Sequence, residues 1–378
     1  MTKIALPNHT RMMLTVADIT RAIEEFAPLQ LQESYDNAGL ITGSHSQTVT
    51  KALLTLDCTE DVVDEAIKKG CELIVAHHPI VFSGLKKITG SGYVERTIIK
   101  AIKKDIAIYA CHTNIDNVRE GVNQIICEKI GLSQPVVLRP MRGQLFKLHT
   151  YIPTEHANKL RDTLFNYGAG NIGKYSECSF NILGRGTFRG NYDSDPVIGE
   201  KGIRETVDET KIEVIFPGWK KADVLRALKQ GHIYEEVAYE IYPLENIYQE
   251  TGAGLVGELE KPLAEKDFLQ HLKDSMNLVN IRHTPFTKKN IKTVAVCGGA
   301  GIAFLKDAIA KKADAYVTAD VKYHRFFDAD GRILLCDIGH FESERFTIEL
   351  FHRILKRNFP TFASLFSKVN TNPVNHFQ

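Results

Sequence analysis

Three short apolar runs in this chain each end at side chains that bind divalent metal ions. Leu73 to Ala76 runs into His77-His78-Pro79, Ile106 to Cys111 into His112-Thr113-Asn114-Ile115-Asp116, and Ile333 to Cys336 into Asp337-Ile338-Gly339-His340, with Glu342 and Glu344 following. Imidazole mixed with carboxylate suits zinc, manganese, iron, cobalt and nickel alike. His340 and Glu344 are four residues apart, so a helix starting at His340 puts them on one face, where they can hold one ion. Adjacent His77 and His78 point in different directions on an extended chain, which suits two ions better than one, with a carboxylate as bridge. The site read from these residues holds two divalent ions, with His77, His78, Asp116, His340 and Glu344 as ligands. Two ions about 3.5–4 Å apart make a hydroxide available at neutral pH and clamp an oxyanion, which is the chemistry of hydrolysis. For any single member the plain alternative is a loop or capping residue. It is the mixture at three strand ends that favours a metal centre.

Other positions stay open on sequence alone. His112 fits three roles: orienting a ligand, acting as general acid or base, or simply ending a strand. Gly298-Gly299-Ala300-Gly301 either offers N–H groups to a phosphate or makes a tight turn. Thr318, Asp320 and His324 repeat the strand-end pattern and are candidates to line the pocket, while Asp36-Asn37-Ala38-Gly39-Leu40 reads as a turn before a strand. The cysteines near the site either join the metal or pack.

The elements that must position these residues come in two stretches of similar grammar. In the first, strand Lys51 to Leu56 is followed by helix Glu60 to Lys69, strand Leu73 to Ala76, helix Val94 to Lys103 and strand Ile106 to Cys111. The second runs from strand Val294 to Cys297 through helix Ile302 to Lys311 and strands Ala315 to Thr318 and Ile333 to Cys336. Continuous apolar strands separated by helices predict a mostly parallel sheet covered on both faces, and ligands bind at the carboxyl ends of such strands. Both stretches are expected to build one layered α/β domain, as one sheet or two packed sheets, from residues 1–140 and 246–378. Between them, residues 141–245 read as an α+β insert. Its order is strand Leu145 to Ile152, helix Glu155 to Asn166, strands Ser179 to Thr187 and Lys211 to Phe216, helix Lys220 to Gln230, and strand Glu236 to Tyr242. That βαββαβ order is the ferredoxin-like unit, with Arg189 to Glu209 as the loop between its central strands.

The chain has 378 residues, enough for about two to three domains with cores of their own. Its 47 basic and 46 acidic side chains leave a net charge of +1, which gives no field to draw it to nucleic acid or anionic membrane. Seven cysteines, an odd number without a C-x-x-C pair, argue against a disulfide framework and for a reducing cytoplasm, with Cys58, Cys111, Cys297 and Cys336 as small buried hydrophobes. The first fifteen residues carry Lys3, Pro7, Asn8, His9 and Arg11 and lack the apolar core of a signal peptide, and no later run reaches the ~18 apolar residues of a spanning helix. A soluble, untargeted protein is expected.

With these residues in place, the chain resembles the Nif three-like family, the GTP cyclohydrolase I type 2 homologues, over almost its whole length. The motifs that carry the resemblance are Ser34-Tyr35-Asp36-Asn37-Ala38-Gly39-Leu40, Ala76-His77-His78-Pro79, His112-Thr113-Asn114-Ile115-Asp116, Cys297-Gly298-Gly299-Ala300-Gly301 and Asp337-Ile338-Gly339-His340-Phe341-Glu342-Ser343-Glu344. The resemblance implies a dinuclear metal centre on the positions matching His77, His78, Asp116, His340 and Glu344. It also implies a homohexamer of two stacked trimers with the metal centres facing its interior, and an insert similar to the PII and CutA proteins. Tyr35 departs from the family, which often has Trp before Asp-Asn, and Ala319 stands where Gly is usual between Thr and Asp. The family label implies metal-activated water attacking a nucleotide: at C8 of guanine in GTP it would open the ring and release formate, with His112 as proton shuttle. The alternative is a non-catalytic regulatory or chaperone-like assembly whose insert binds a small effector.

Overall fold

The structure, a computed structural model, describes residues 13–377; the N-terminal residues on which the signal-peptide argument mostly rests lie outside the described residues. Contacts divide the chain into two units, one formed by the chain up to Arg139 together with the chain from Glu250 onward, the other by Pro140–Gln249.

The first unit contains two sheets rather than one. A five-stranded sheet has the order Gly39–Thr42, Ala107–Ala110, Leu73–Ala76, Lys51–Thr55, Ala363–Phe366, parallel except for its first strand. A six-stranded sheet runs Arg282–His283, Leu334–Asp337, Ala315–Thr318, Asn290–Val296, Gly252–Ala264, Leu132–Pro140, with the second to fourth strands parallel. The central strands are fully buried, as continuous apolar runs demand.

Within each run alternate side chains serve different layers. Leu54, Val75 and Tyr109 of the first sheet and Val294, Val317 and Cys336 of the second share one core with the apolar faces of helices Val16–Phe26, Val122–Ile130, Glu265–Ser275 and Thr347–Asn358. The opposite faces, Leu53, Ile74 and Ile108 in one sheet and Ala295, Tyr316 and Leu335 in the other, pack under helices of their own. Two sheets with a shared helical layer between them therefore hold their strand ends in fixed relation, which is what a site drawing on both sheets requires.

Local sequence explains the connecting helices. Helix Glu60–Lys69 starts at Thr59, whose hydroxyl accepts the Val62 N–H, carries Glu60 and Asp61 in its first turn and Lys68 and Lys69 in its last, and stops at Gly70 with φ 64°. Caps and charges all agree with the helix dipole. Helix Tyr93–Lys103 is preceded by a loop whose Thr89, Gly90 and Ser91 N–H groups all donate to the Glu95 carboxylate.

The second unit has a four-stranded antiparallel sheet, ordered Ser179–Arg189, Arg204–Pro217, Leu145–Pro153, Tyr239–Leu244. Its inner face, including Leu148, Ile152, Ile212 and Val214, packs on helices Ala157–Asn166 and Lys221–Gly231. The expected loop from Arg189 to Glu209 narrows to residues 190–203. Strand Arg204–Pro217 extends through most of its second part, paired in register with the other strand up to Arg189 opposite Arg204.

Among the described residues no helix is long and apolar enough to cross a membrane. All seven cysteines are free, and all but Cys178 are buried.

Candidate metal centre

Three adjacent parallel strands from each sheet present their carboxyl ends to one cavity of about 830 Å³. From the first sheet, Asp57 follows Lys51–Thr55, His77 and His78 follow Leu73–Ala76, and His112 and Asp116 follow Ala107–Ala110. From the second, Gly298 follows Asn290–Val296, Asp320 follows Ala315–Thr318, and His340 follows Leu334–Asp337. The expected short helix does begin at His340, spanning His340–Glu344, so its two ends share a face.

All five expected ligands come together here, and His112 joins them. Potential ligand atoms fall into three groups whose members lie within 4.8 Å of one another: His78, His340 and Glu344; His77, Asp116 and Glu344; and His77, His78 and His112. Glu344 is common to the first two. Its Oε2 stands 3.0 Å from His78 Nε2, 3.0 Å from His340 Nε2 and 3.7 Å from His77 Nε2.

Each of the four histidines has its Nδ1 held by an acceptor. His77 Nδ1 donates to the Cys111 carbonyl at 2.9 Å, His78 Nδ1 to Asp57 Oδ1 at 2.7 Å, His112 Nδ1 to Asp36 Oδ1 at 2.8 Å, and His340 Nδ1 to Asp320 Oδ2 at 2.8 Å. A carbonyl only accepts, so His77 carries its proton on Nδ1 and turns the lone pair of Nε2 toward Glu344 and Asp116. This is how outer hydrogen bonds fix the tautomer and direction of metal-binding imidazoles. Thr371 extends one chain further, donating its hydroxyl to Asp57 Oδ2 at 2.7 Å.

Whether these residues fit a metal can be judged from atoms that lack any other partner. His77 Nε2 and Asp116 Oδ1 are both buried without a hydrogen bond, and they lie 3.7 Å apart. That is too long for a hydrogen bond, yet shorter than two metal–ligand bonds of about 2.0–2.2 Å laid end to end. A buried lone pair and a buried carboxylate oxygen are costly to leave unpaired, and a shared cation resolves both. The residues fit a metal.

The local charge balance points the same way. Burial and the neighbouring Glu344 charge push the Asp116 carboxyl up to about 8. Burial would also raise Glu344, but the imidazoles of His340 and His78, each 3.0 Å from its Oε2, override it and hold that carboxyl well below the usual range. Burial disfavours charge on His78 and His340, yet bonds to Asp57 and Glu344 raise His78 to about 10, and those to Glu344 and Asp320 raise His340 to about 9. Without a metal, the anionic pocket draws protons to His78 and His340. A divalent ion would take the place of those protons.

The glycine loop backs the centre instead of cradling phosphate. Gly298 N–H donates to Asn123 Oδ1, Gly299 N–H to Ser343 Oγ and Gly301 N–H to Thr318 Oγ1, so these donors are already used. Gly299 is there for room: with φ +62°, a Cβ on it would sit 2.3 Å from Glu344 Oε1. Of the other candidates, Asp320 borders the cavity and holds His340, Thr318 is buried beneath the glycine loop, and His324 packs on Tyr323 and Phe327 outside the cavity lining. Among the described residues no cysteine joins the metal-binding groups, and burial pushes the Cys297 thiol up to about 12.

Sequence reasoning missed several supporting residues. Asp36, taken as part of a turn, accepts from His112 and from the Thr113 N–H, and its carboxylate is wholly buried. Asp57, just past strand Lys51–Thr55 and without any sequence signal of its own, holds His78. Asn123, buried within helix Val122–Ile130, donates to the Asp116 carbonyl and accepts from Gly298, tying the ligand loops of the two sheets together.

Comparison with known proteins finds relatives along nearly the whole chain. A family model described as Duf34/NIF3 (NGG1p interacting factor 3) matches residues 14–373. A protein of Halalkalibacterium halodurans called GTP cyclohydrolase 1 type 2 homolog is 39% identical over 325 residues, covering 85% of this chain and 87% of the relative. One of the same name from Staphylococcus epidermidis is 33% identical, covering 95% and 99%. Among solved structures, a Bacillus cereus protein related to NIF3 matches with TM-score 0.85 and 35% identity, covering 97% of this chain and all of that one. The Staphylococcus aureus protein SA1388 matches with TM-score 0.76 and 29% identity, covering 97% and 99%. With a family match along nearly its full length and relatives alike from end to end, the chain belongs to the NIF3 family.

Proposed function

We propose that this chain is a metal-dependent hydrolase built around two divalent ions, with a nucleotide or related compound as substrate. The observation that carries the reading is the sharing of Glu344 between the group of His78 and His340 and the group of His77 and Asp116. One carboxylate common to two sets of ligands is the arrangement expected of a bridge. Two such ions, when bound, activate water and clamp a developing oxyanion. The chain's own contributions are separate. His77, His78 and His340 present Nε2 from fixed rings, Glu344 and Asp116 balance charge, and His112, oriented by Asp36, stands beside them to take up or return a proton. Zinc, iron and manganese all suit these donors. The names of the relatives favour GTP as the first substrate to test.

The experiment is a turnover screen of protein loaded separately with zinc, manganese and iron against GTP, other nucleotides, phosphodiesters and cyclic amides, with His77→Ala as control. Product that depends on His77 supports the reading and names the substrate. Silence across the panel rejects it.

A second reading has an observation of its own. The Pro140–Gln249 unit follows the strand and helix order of a ferredoxin-like domain, consistent with a PII- or CutA-like insert, and holds a cavity of about 700 Å³ bordered by Tyr151, Phe188, Glu209, Lys211 and Tyr234. A small effector bound there would make the protein a regulatory assembly, with a structural or sensing metal centre. A homohexamer of two stacked trimers, the arrangement implied by family resemblance, is part of both readings.

A further inference from the structure

We propose that Tyr35 and Phe82 form a stacking subsite beside the metal centre for a flat heteroaromatic ring such as a nucleobase. This deepens the hydrolase reading and rests on it for the location of the chemistry. Both rings border the cavity that holds the candidate ligands, and both are left open, Tyr35 at 63% exposure and Phe82 at 49%. Large aromatic faces are ordinarily buried, and an open pair at the edge of a cavity gains by being covered.

The pair is built into the site. Its ring centroids lie 6.2 Å apart at a tilt of 48°, and Phe82 stands edge-on to His112 at 6.1 Å. His112 in turn lies 5.3 Å from both His77 and His78. A flat ligand laid against Tyr35 and Phe82 is thus brought beside His112, one ring-to-ring step from the metal-binding histidines. Three consecutive residues set the geometry. Tyr35 supplies a ring, Asp36 holds His112, and the Asn37 side chain donates to the Val81 carbonyl at 2.6 Å, tethering the segment that carries Phe82. The tether fixes the relation between the two aromatic residues and the histidine, as a subsite for an oriented substrate requires. Stacking accepts any aromatic base, so it supplies affinity and position, and the atoms around the metal centre supply chemical selection.

Guanosine is the probe, with ribose 5-phosphate as the control lacking a ring, each titrated calorimetrically into the full-length metal-replete protein and its variants. Guanosine should bind the wild type, and Tyr35→Ala and Phe82→Ala should each weaken it at least about ten-fold. Tyr35→Trp should restore affinity, ribose 5-phosphate should not respond to these changes, and metal content by mass spectrometry should stay at the wild-type level. Failure of the wild type to bind guanosine, or equal binding by Tyr35→Ala, overturns the subsite while leaving hydrolysis of other compounds to be judged by turnover. Ring-dependent guanosine binding by protein that takes up no metal would support the subsite and reject the metal-dependent hydrolase.

Discussion

His78 and His340, 262 positions apart in the chain, bring their Nε2 atoms to 3.3 Å of each other and to 3.0 Å of the same Glu344 oxygen. Each has its other nitrogen committed to an aspartate, Asp57 for one and Asp320 for the other. Two imidazoles directed at one point by separate acidic partners are arranged as a pair that could hold a cation. The surroundings of that pair set the consequences of changing it.

Asp57 is the residue whose loss should separate orientation from ligation. Removing outer partners of metal-binding histidines typically lowers metal affinity 10–100-fold. Asp57→Ala is expected to fall in that range by competitive titration with a chelator. Thr371→Val, which removes only the hydroxyl donated to Asp57, should have a smaller effect in the same direction.

Gly299→Ala should damage the centre from behind. The added methyl group would meet Glu344 Oε1 at 2.3 Å, and the φ of +62° disfavours any side chain. Metal content is expected to drop markedly, with a loss of thermal stability on the order of 1–2 kcal/mol. Retention of full metal content would show that Glu344 can move without losing its role.

Acid stability should carry the signature of Asp36. Burial alone would raise this carboxyl, but hydrogen bonds from His112 and Thr113 bring it from 3.8 down to about 2. Because the folded value is depressed, the stabilisation is present in full above the unfolded value near 3.8 and is lost as pH falls through about 2. Denaturation measured from pH 6 to 2 should show Asp36→Asn less stable than the wild type at the upper end by on the order of 1 kcal/mol, with the gap closing below about pH 4.

Phe351 lies wholly buried in the helical layer shared by the two sheets. Phe351→Ala should lower stability by about 3–5 kcal/mol. Since this layer holds the two sets of strand ends in register, metal affinity should fall as the fold loosens, whereas a conservative Phe351→Leu should keep it.

Much of the candidate centre could be read from the chain because its candidate ligands stand directly after apolar strands, where spacing and residue type coincide. His77, His78, Asp116, His340 and Glu344 needed only the rule that parallel strands open their carboxyl ends to ligands. Their partners were not legible. Asp36, Asp57 and Asp320 lie 76, 21 and 20 positions from the histidines they hold, and no local pattern links such pairs. Strand Arg204–Pro217 was shortened for a different reason. Its first part is exposed or half-exposed and paired with another open strand, so the apolar alternation that reveals a half-buried strand is weak there. The choice between one sheet and two packed sheets stayed open on sequence alone, because buried parallel strands read alike whichever sheet they enter; the structure has two.

The most direct test of a two-ion centre bridged by Glu344 is the metal stoichiometry of purified protein after equilibrium dialysis against zinc or manganese, measured by mass spectrometry for the wild type and for Glu344→Ala. Two ions per chain are expected in the wild type, with loss of both when the shared carboxylate is removed. A wild type that binds no ion, or a Glu344→Ala variant that still holds two, would contradict the bridged centre.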